Sequence, residues 1–323
     1  MNKLRVGVMR GGISSEYEVS LKTGASVLSG LPDKYSASDI LISKDGKWYL
    51  NGVHKSEDRI ADNVDVIFNC LHGYYGEDGK VQHVLDSLSV PYTGSDVLAS
   101  ALGMNKALAK NRFKELGIKV PYSMVLREEE YEGSSNFILN LFRKLPQPPV
   151  VKPARGGSSI GTRIAYNPQE LKEAIEFAFE IDDLILIEQF INGREATCGV
   201  IDDYRGKDHY ALFPVEIIKP KQSKFFDYEA KYGGQSQELC PAVNLTQEEK
   251  NTIEGLAVRA HKAIGARHYS RSDFIVNPRG IYLLEINTLP GLTTESLLPK
   301  SLNAVGFKFP EFLDHIIMLA LSK

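Results

Sequence analysis

Cysteine is scarce in this chain: Cys70, Cys198 and Cys240 stand far apart, in no zinc-type spacing. That excludes a disulfide frame and suits a reducing, cytoplasmic setting. A charge bias is missing too, since 38 Lys and Arg face 41 Asp and Glu for a formal net charge of -3. Such a balance gives no basis for a nucleic-acid or membrane-surface partner. No apolar run reaches the ~18 residues of a spanning helix, and the short one in "MNKLRVGVMRGG" reads as a first strand rather than a secretion signal. Neither G-x-x-x-x-G-K-[ST] nor G-x-G-x-x-G occurs, so the P-loop and dinucleotide fingerprints do not apply. With no fixed-period repeat or low-complexity tract either, organisation rests on alternating strand and helix signals.

At 323 residues, with 43% hydrophobic and 24% charged, the chain exceeds one compact core. Residues 1–95 alternate apolar strands ("LRVGVMRGG", "VDVIFNCLHG") with helices from about Glu16 and Asp78, and a hairpin-like pair surrounds Asp45-Gly46. This predicts a mainly parallel α/β sheet. Residues 96–187 read as a second lobe: helical to about Leu116, then strands near 120–125, 148–154 and 160–166 and helices near 135–144 and 168–180. The remainder, 188–323, is a strand-rich third lobe with helices near 246–264, 295–305 and 309–321.

Within "YLLEINTLPG", residues 282–291, alternation puts Glu285 and Asn287 on one strand face and Leu284, Ile286 and Thr288 on the other. Upstream, Arg271 and Asp273 of "YSRSDFIV" share a face, and the turn "NPRG" suggests that the two strands form a hairpin. Asp273, Glu285 and Asn287 then lie side by side. An all-oxygen set on rigid strands suits Mg²⁺, whose remaining ligands are typically water and substrate phosphates.

A place for phosphates is offered by "VVKPARGGSSIGTRI", residues 150–164, where Lys152 ends an apolar strand and Gly156, Gly157, Ser158, Ser159 and Gly161 follow. Small residues let backbone N–H groups approach an anion, although a plain hairpin turn reads equally well. Lys106 in "GMNKALAK" is by itself a solvated helix residue. In "LILIEQFINGREAT", residues 184–197, Glu188 or nearby carbonyls could take an adenine amino group and Glu195 ribose hydroxyls, an assignment weak on its own.

Taken in order, "GGISSEYEVSLKTG", "LHGYYGEDGKVQ", "GMNKALAK", "VVKPARGGSSIG", "IEQFINGREAT", "DYEAKY", "SRSDF" and "EINTLPGLTTESLLP" resemble the D-alanine–D-alanine ligase family of the ATP-grasp superfamily over nearly the whole chain. The resemblance implies a three-lobed ATP-grasp fold, α/β and α+β, with an N-terminal parallel α/β lobe. It implies ATP between the second and third lobes, with Lys106, Lys152 and Ser159 at the phosphates, Glu188, Gln189 and Ile191 at adenine, and Glu195 at ribose. Asp273, Glu285 and Asn287 would hold two Mg²⁺ ions, with Mn²⁺ a substitute. The first D-alanine would meet Glu16 and His72; Arg271 and the Gly291 N–H would stabilise an oxyanion; Ser296 and the Leu297 N–H would take the second carboxylate. The stretch 224–241 would be a lid, with Lys231 on the γ-phosphate and Tyr232 latched to Glu16 and Ser158. A cytoplasmic homodimer is expected by resemblance only.

Departures from the family pattern fall at Gly156, where an acid is frequent, at Tyr17, where a polar residue or His is usual, and at Leu289, where Ser is usual. By the same resemblance, in which D-alanine–D-lactate ligases lack this arrangement, the Lys231-Tyr232 pair implies an amine rather than a hydroxy acid as second substrate. D-Ala–D-Ser and D-Ala–D-Lac ligases are the near alternatives, and a catalytically silent nucleotide-binding regulator is the distant one.

Overall fold

The computed structural model describes residues 3–157, 160–218 and 237–322, whose strands form three sheets. In the first, β1 (Leu4–Gly11) pairs in parallel with β2 (Tyr35–Ile42) and β5 (Val66–Asn69), and α1 (Tyr17–Gly30) makes the crossover a parallel pair requires. β3 (Trp48–Leu50) and β4 (Val53–His54) extend its edge antiparallel. Side chains of β1 alternate between two cores, Val6 and Val8 joining Val27 of α1 on one face and Met9 joining Ile40 and Ile67 on the other. That second face is covered by α2 (Glu57–Ala61) and α3 (Lys80–Ser87) through Ile60, Val81 and Leu85. Burial on both faces explains why "VGVM" is uninterruptedly apolar.

The second sheet is antiparallel, in the order β6-β9-β7-β8, from β6 (Ser123–Arg127), β7 (Pro149–Pro153), β8 (Arg163–Ile164) and β9 (Leu184–Gln189). Of the preceding helices, α4 (Val97–Met104) and α5 (Lys106–Glu115) belong elsewhere, while α6 (Ser135–Lys144) and α7 (Pro168–Phe179) bury Ile138, Leu141, Leu171 and Ile175 against Val151, Ile185 and Ile187. Ser134 caps α6 by accepting from Phe137 N, and Asn167 caps α7 by accepting from Glu170 N, ahead of Pro168 in the first turn.

The third sheet runs β13-β12-β10-β14-β15, with β11 also on β10; its strands are β10 (Arg194–Tyr204), β11 (Lys207–Ala211), β12 (Val215–Ile218), β13 (Gln237–Leu239), β14 (Tyr269–Asn277) and β15 (Gly280–Asn287). Across one face lies α8 (Gln247–Ile264), followed after the β14–β15 hairpin by α9 (Leu297–Ala304) and α10 (Phe309–Leu321). A capping box opens α8: Thr246 Oγ1 accepts from Glu249 N at 3.2 Å, and Glu249 Oε2 from Thr246 N at 2.8 Å. Thr246→Ala is expected to cost about 1 kcal/mol, read as a lower denaturant midpoint. An unmoved midpoint would mean that α8 is held by its packed face alone.

Three expectations are revised here. The 187/188 boundary cuts β9, which pairs with β6 and β7 and so keeps the second lobe's sheet running to Gln189. Ala109 and Phe113 of α5 share a core with Phe274, Leu283 and Ala257, so the helices after residue 96 pack on the third sheet, not the second. α10 returns to the first lobe, where Phe312, Leu313 and Ile316 join Val6 and Phe68. Chain order thus differs from packing order because helices settle where complementary apolar faces exist.

Candidate active site

A cleft of ≈ 1230 Å³ lies between the second and third sheets and reaches Glu16 ahead of α1. Asp273 and Glu285 are directly opposed across the β14–β15 ladder, as are Arg271 and Asn287, so the expected side-by-side arrangement is present. Alternation nonetheless fails at one point. The register shifts between Asp273 and Phe274, where Leu284 is the extra residue of a bulge, so Leu284 lines the cleft beside Glu285 rather than facing away. The bulge aims the carboxylate without costing Leu283 its place in the core.

Arg271 grips Asp273 as a fork, Nε to Oδ1 at 2.9 Å and Nη2 to Oδ2 at 3.0 Å, and Thr197 Oγ1 donates to Oδ1 at 2.7 Å. Asn287 Oδ1 accepts from Leu289 N at 2.8 Å, which fixes the amide where the chain leaves the strand. Two carboxylates and an amide oxygen form an all-oxygen donor set, and this chemistry fits a hard cation such as Mg²⁺.

On the opposite wall, Lys110 and Lys152 close on Glu188: Lys110 Nζ lies 2.9 Å from Oε1 and Lys152 Nζ 2.8 Å from Oε2. Lys110 and Glu188 are both buried, at 1% and 3% exposure. Burial alone would raise the Glu188 pKa, but the two ammonium groups outweigh it and hold the carboxyl below its ordinary value. Burial pulls Lys110 down to about 8 despite Glu188. Both oxygens of Glu188 are thus already engaged, and an adenine amino group would be a further donor to a carboxylate that can accept about four. Lys106, at the start of α5 and half-buried rather than solvated, donates to the Gly156 carbonyl and lies 3.8 Å from Glu285. Gln189, Ile191 and the half-buried Glu195 also line the cleft.

At the far end, His72 is buried with both ring nitrogens engaged, Nε2 with Thr23 Oγ1 at 3.0 Å and Nδ1 with Glu77 Oε1 at 3.2 Å. Burial pushes the Glu77 carboxyl up, against the pull of His72. Glu16, just before α1, brings its carboxylate against Gly157 of the loop after Lys152. Near the third-lobe mouth, Ser296 precedes α9 without capping it, because its hydroxyl instead meets Thr293 Oγ1 at 2.8 Å and accepts from Thr293 N at 3.2 Å. A Cβ on Gly291 would come within 2.9 Å of Ser296 Oγ, so the glycine is what allows this approach. Leu297 opens α9, whose first N–H groups favour an anion.

The site calls for residues that sequence reasoning did not single out: Lys110, Glu77, Thr23 and Thr197. Lys110 could have been found, since it stands four after Lys106 in "KALAK" and so shares its helix face. Glu77 lies within the quoted "LHGYYGEDG". Thr23 and Thr197 carry no sequence signal, because their roles depend on partners 49 and 76 residues away. Ser158, Ser159, Lys231 and Tyr232 lie outside the described residues, as does the lid stretch up to 236. The departures are accommodated: Gly156 adopts φ +108°, which favours glycine, Tyr17 lies under Lys44 Nζ at 4.9 Å, and Leu289 is buried in the core shared by the first and third lobes.

Family models for the D-ala D-ala ligase N-terminus and C-terminus match residues 5–63 with 51–95 and residues 113–318. A D-alanine–D-alanine ligase of Geobacter sulfurreducens is 41% identical over 325 residues, covering 99% of this chain and 95% of that protein. The D-alanine–D-alanine ligase of Bacillus anthracis solved with ATP superposes with TM-score 0.80 at 35% identity, covering 99% of this chain and 98% of its own. A D-Ala:D-Ser ligase of Enterococcus faecalis gives TM-score 0.86 at 32% identity, covering 99% and 100%. With matches of this extent joining the order of lobes and the cleft between them, the chain belongs to the D-alanine–D-alanine ligase family, on an ATP-grasp fold.

Proposed function

We propose that the protein joins two D-alanines to D-alanyl-D-alanine, with ATP converted to ADP and phosphate, as a step in supplying peptidoglycan precursors. The observation that carries this reading is the Arg271–Asp273 fork facing Glu285 and Asn287 across one hairpin, with Lys106 of α5 lying 3.8 Å from Glu285. One surface thereby holds hard-cation donors beside a planar cation suited to an oxyanion.

Asp273, Glu285 and Asn287 would hold two Mg²⁺ ions, which supply positive charge against phosphate oxygens. Lys106 and Lys152 align the triphosphate, and Glu188, Gln189, Ile191 and Glu195 hold the nucleoside. Glu16 pairs with the ammonium of the first D-alanine, beside His72, whose ring is held by Thr23 and Glu77. A carboxylate oxygen attacks the γ-phosphorus as the bond to the ADP oxygen breaks, giving an acyl phosphate. The second alanine, its carboxylate at Ser296 and Leu297, presents a neutral amine that attacks the carbonyl carbon. Arg271 and the Gly291 N–H stabilise the oxyanion, which collapses as phosphate leaves, the released phosphate taking up the proton that the nitrogen sheds. The reading includes a cytoplasmic homodimer; no helix among the described residues is long and apolar enough to cross a membrane.

The likeness to a D-Ala:D-Ser ligase favours D-serine as the second reading of the acceptor. Phosphate release with Mg-ATP should proceed with D-alanine alone, and mass analysis should show D-alanyl-D-alanine. Product only from D-alanine with D-serine or D-lactate would replace the acceptor. Silence with every substrate would remove the ligase reading.

A further inference from the structure

Side chains of β10 alternate between the cleft and the opposite face of the sheet. Thr197 turns to Asp273 in the cleft, whereas Ala196, Cys198 and Val200 pack beneath α8. Asp202 has the parity of the second set and belongs to the α8 face. His209 stands directly opposite on β11, with Nδ1 2.8 Å from Asp202 Oδ1. From the last turn of α8, His261 brings Nε2 to 3.0 Å from the same oxygen. Among the described residues this is the one group of three His, Cys, Asp or Glu side chains whose donor atoms all lie within 4.8 Å of one another. None of the three lines the cleft.

A network of ordinary hydrogen bonds would give each nitrogen an aligned partner. His261 is wholly buried, and its Nε2 sits 3.0 Å from Asp202 Oδ1 in poor alignment for a hydrogen bond. The donors are also oriented from outside the group. His261 Nδ1 meets Ser270 Oγ at 2.8 Å, and Asp202 Oδ2 accepts from His268 N at 2.5 Å. Outer bonds of this kind fix ring and carboxylate around metal ions. His209 is 24% exposed, which gives access from solvent and room for a water as fourth ligand. Two imidazoles with one carboxylate suit a borderline cation and not Mg²⁺.

We propose that Asp202, His209 and His261 bind one divalent transition-metal ion of the Zn²⁺ class, which fastens the β10–β11 hairpin to α8 and takes no part in the cleft. The test uses the full chain stripped with a chelator, then titrated with Zn²⁺ alone. The unaltered protein should take up one equivalent more than His209→Ala, with the affinity of that site reduced by more than the ~10–100-fold that loss of an outer partner costs. Zn²⁺ should raise the unfolding temperature of the unaltered protein more than that of the variant, whose ligase turnover should stay at the original rate. A readout that needs no variant is the histidine ring ¹⁵N spectrum, in which two of the seven histidines should shift with the added equivalent. Equal uptake by both proteins, or ring signals of the unaltered protein unmoved by excess Zn²⁺, would overturn the proposal and leave the cluster as a hydrogen-bonded clamp.

Discussion

Arg271→Ala should reduce ligation by about 10²–10³-fold or more, the loss typical of one oxyanion donor, while ATP binding stays largely intact. The guanidinium carries five N–H donors, and Asp273 takes two of them through Nε and Nη2. That fork fixes the plane of the guanidinium beside Glu285 and Asn287, where an acyl phosphate would react. Asp273 does not depend on Arg271 alone, since Thr197 Oγ1 also donates to it at 2.7 Å and the ladder with β15 sets its position. The nucleotide side of the site therefore survives the substitution. Arg271→Lys should restore little, because a point charge cannot reproduce a planar, bidentate grip. Turnover under saturating substrates and Mg-ATP binding by calorimetry separate the cases. Ligation at the original rate would remove Arg271 from the oxyanion, and ATP affinity falling in step with rate would make it a nucleotide residue instead.

The metal-facing hairpin was legible because a strand's period of two is rigid: Arg271 with Asp273 and Glu285 with Asn287 follow from spacing, and "NPRG" marks their turn. What spacing could not carry was the bulge. Nothing in "LLEIN" distinguishes Leu283, which is buried in the core, from Leu284, which lines the cleft, because the register shift is set by the partner strand. Lys106 read as a solvated helix residue for a similar reason. A helix alone shows which residues share a face but not which face another lobe covers, and α5 is covered by the third sheet and by the loop that carries Gly156. The strands of the three sheets were readable from alternating apolar runs. The placement of α5 and α10 was not, since each packs on elements remote in sequence, and neither was the end of β9, which stays with β6 and β7 past residue 187.

Glu188→Gln should destabilise the protein by about 3–5 kcal/mol, the cost of removing one partner from a buried ion pair. The substitution keeps the shape of the side chain and deletes the charge that pairs with both Lys110 and Lys152. Lys110, at 1% exposure, cannot recover that loss from water. Lys110→Met should cost less, because the 2.8 Å pair between Lys152 and Glu188 remains. The pH dependence separates this account from simple loss of packing. In the intact protein Glu188 titrates below its ordinary 4.5, so its contribution is present above that pH and is lost as pH falls through the folded value. Lys110 titrates at about 8 in place of 10.5, so the folded state holds fewer protons than the unfolded one between those values and stability rises with pH across that window. Glu188→Gln should erase the acid limb and move the alkaline rise to lower pH, since Lys110 then loses the attraction that kept its proton on. Urea midpoints measured across the pH range read both limbs at once. A variant whose profile is the original curve merely lowered, with neither limb moved, would show that Glu188 holds the site by packing rather than by charge.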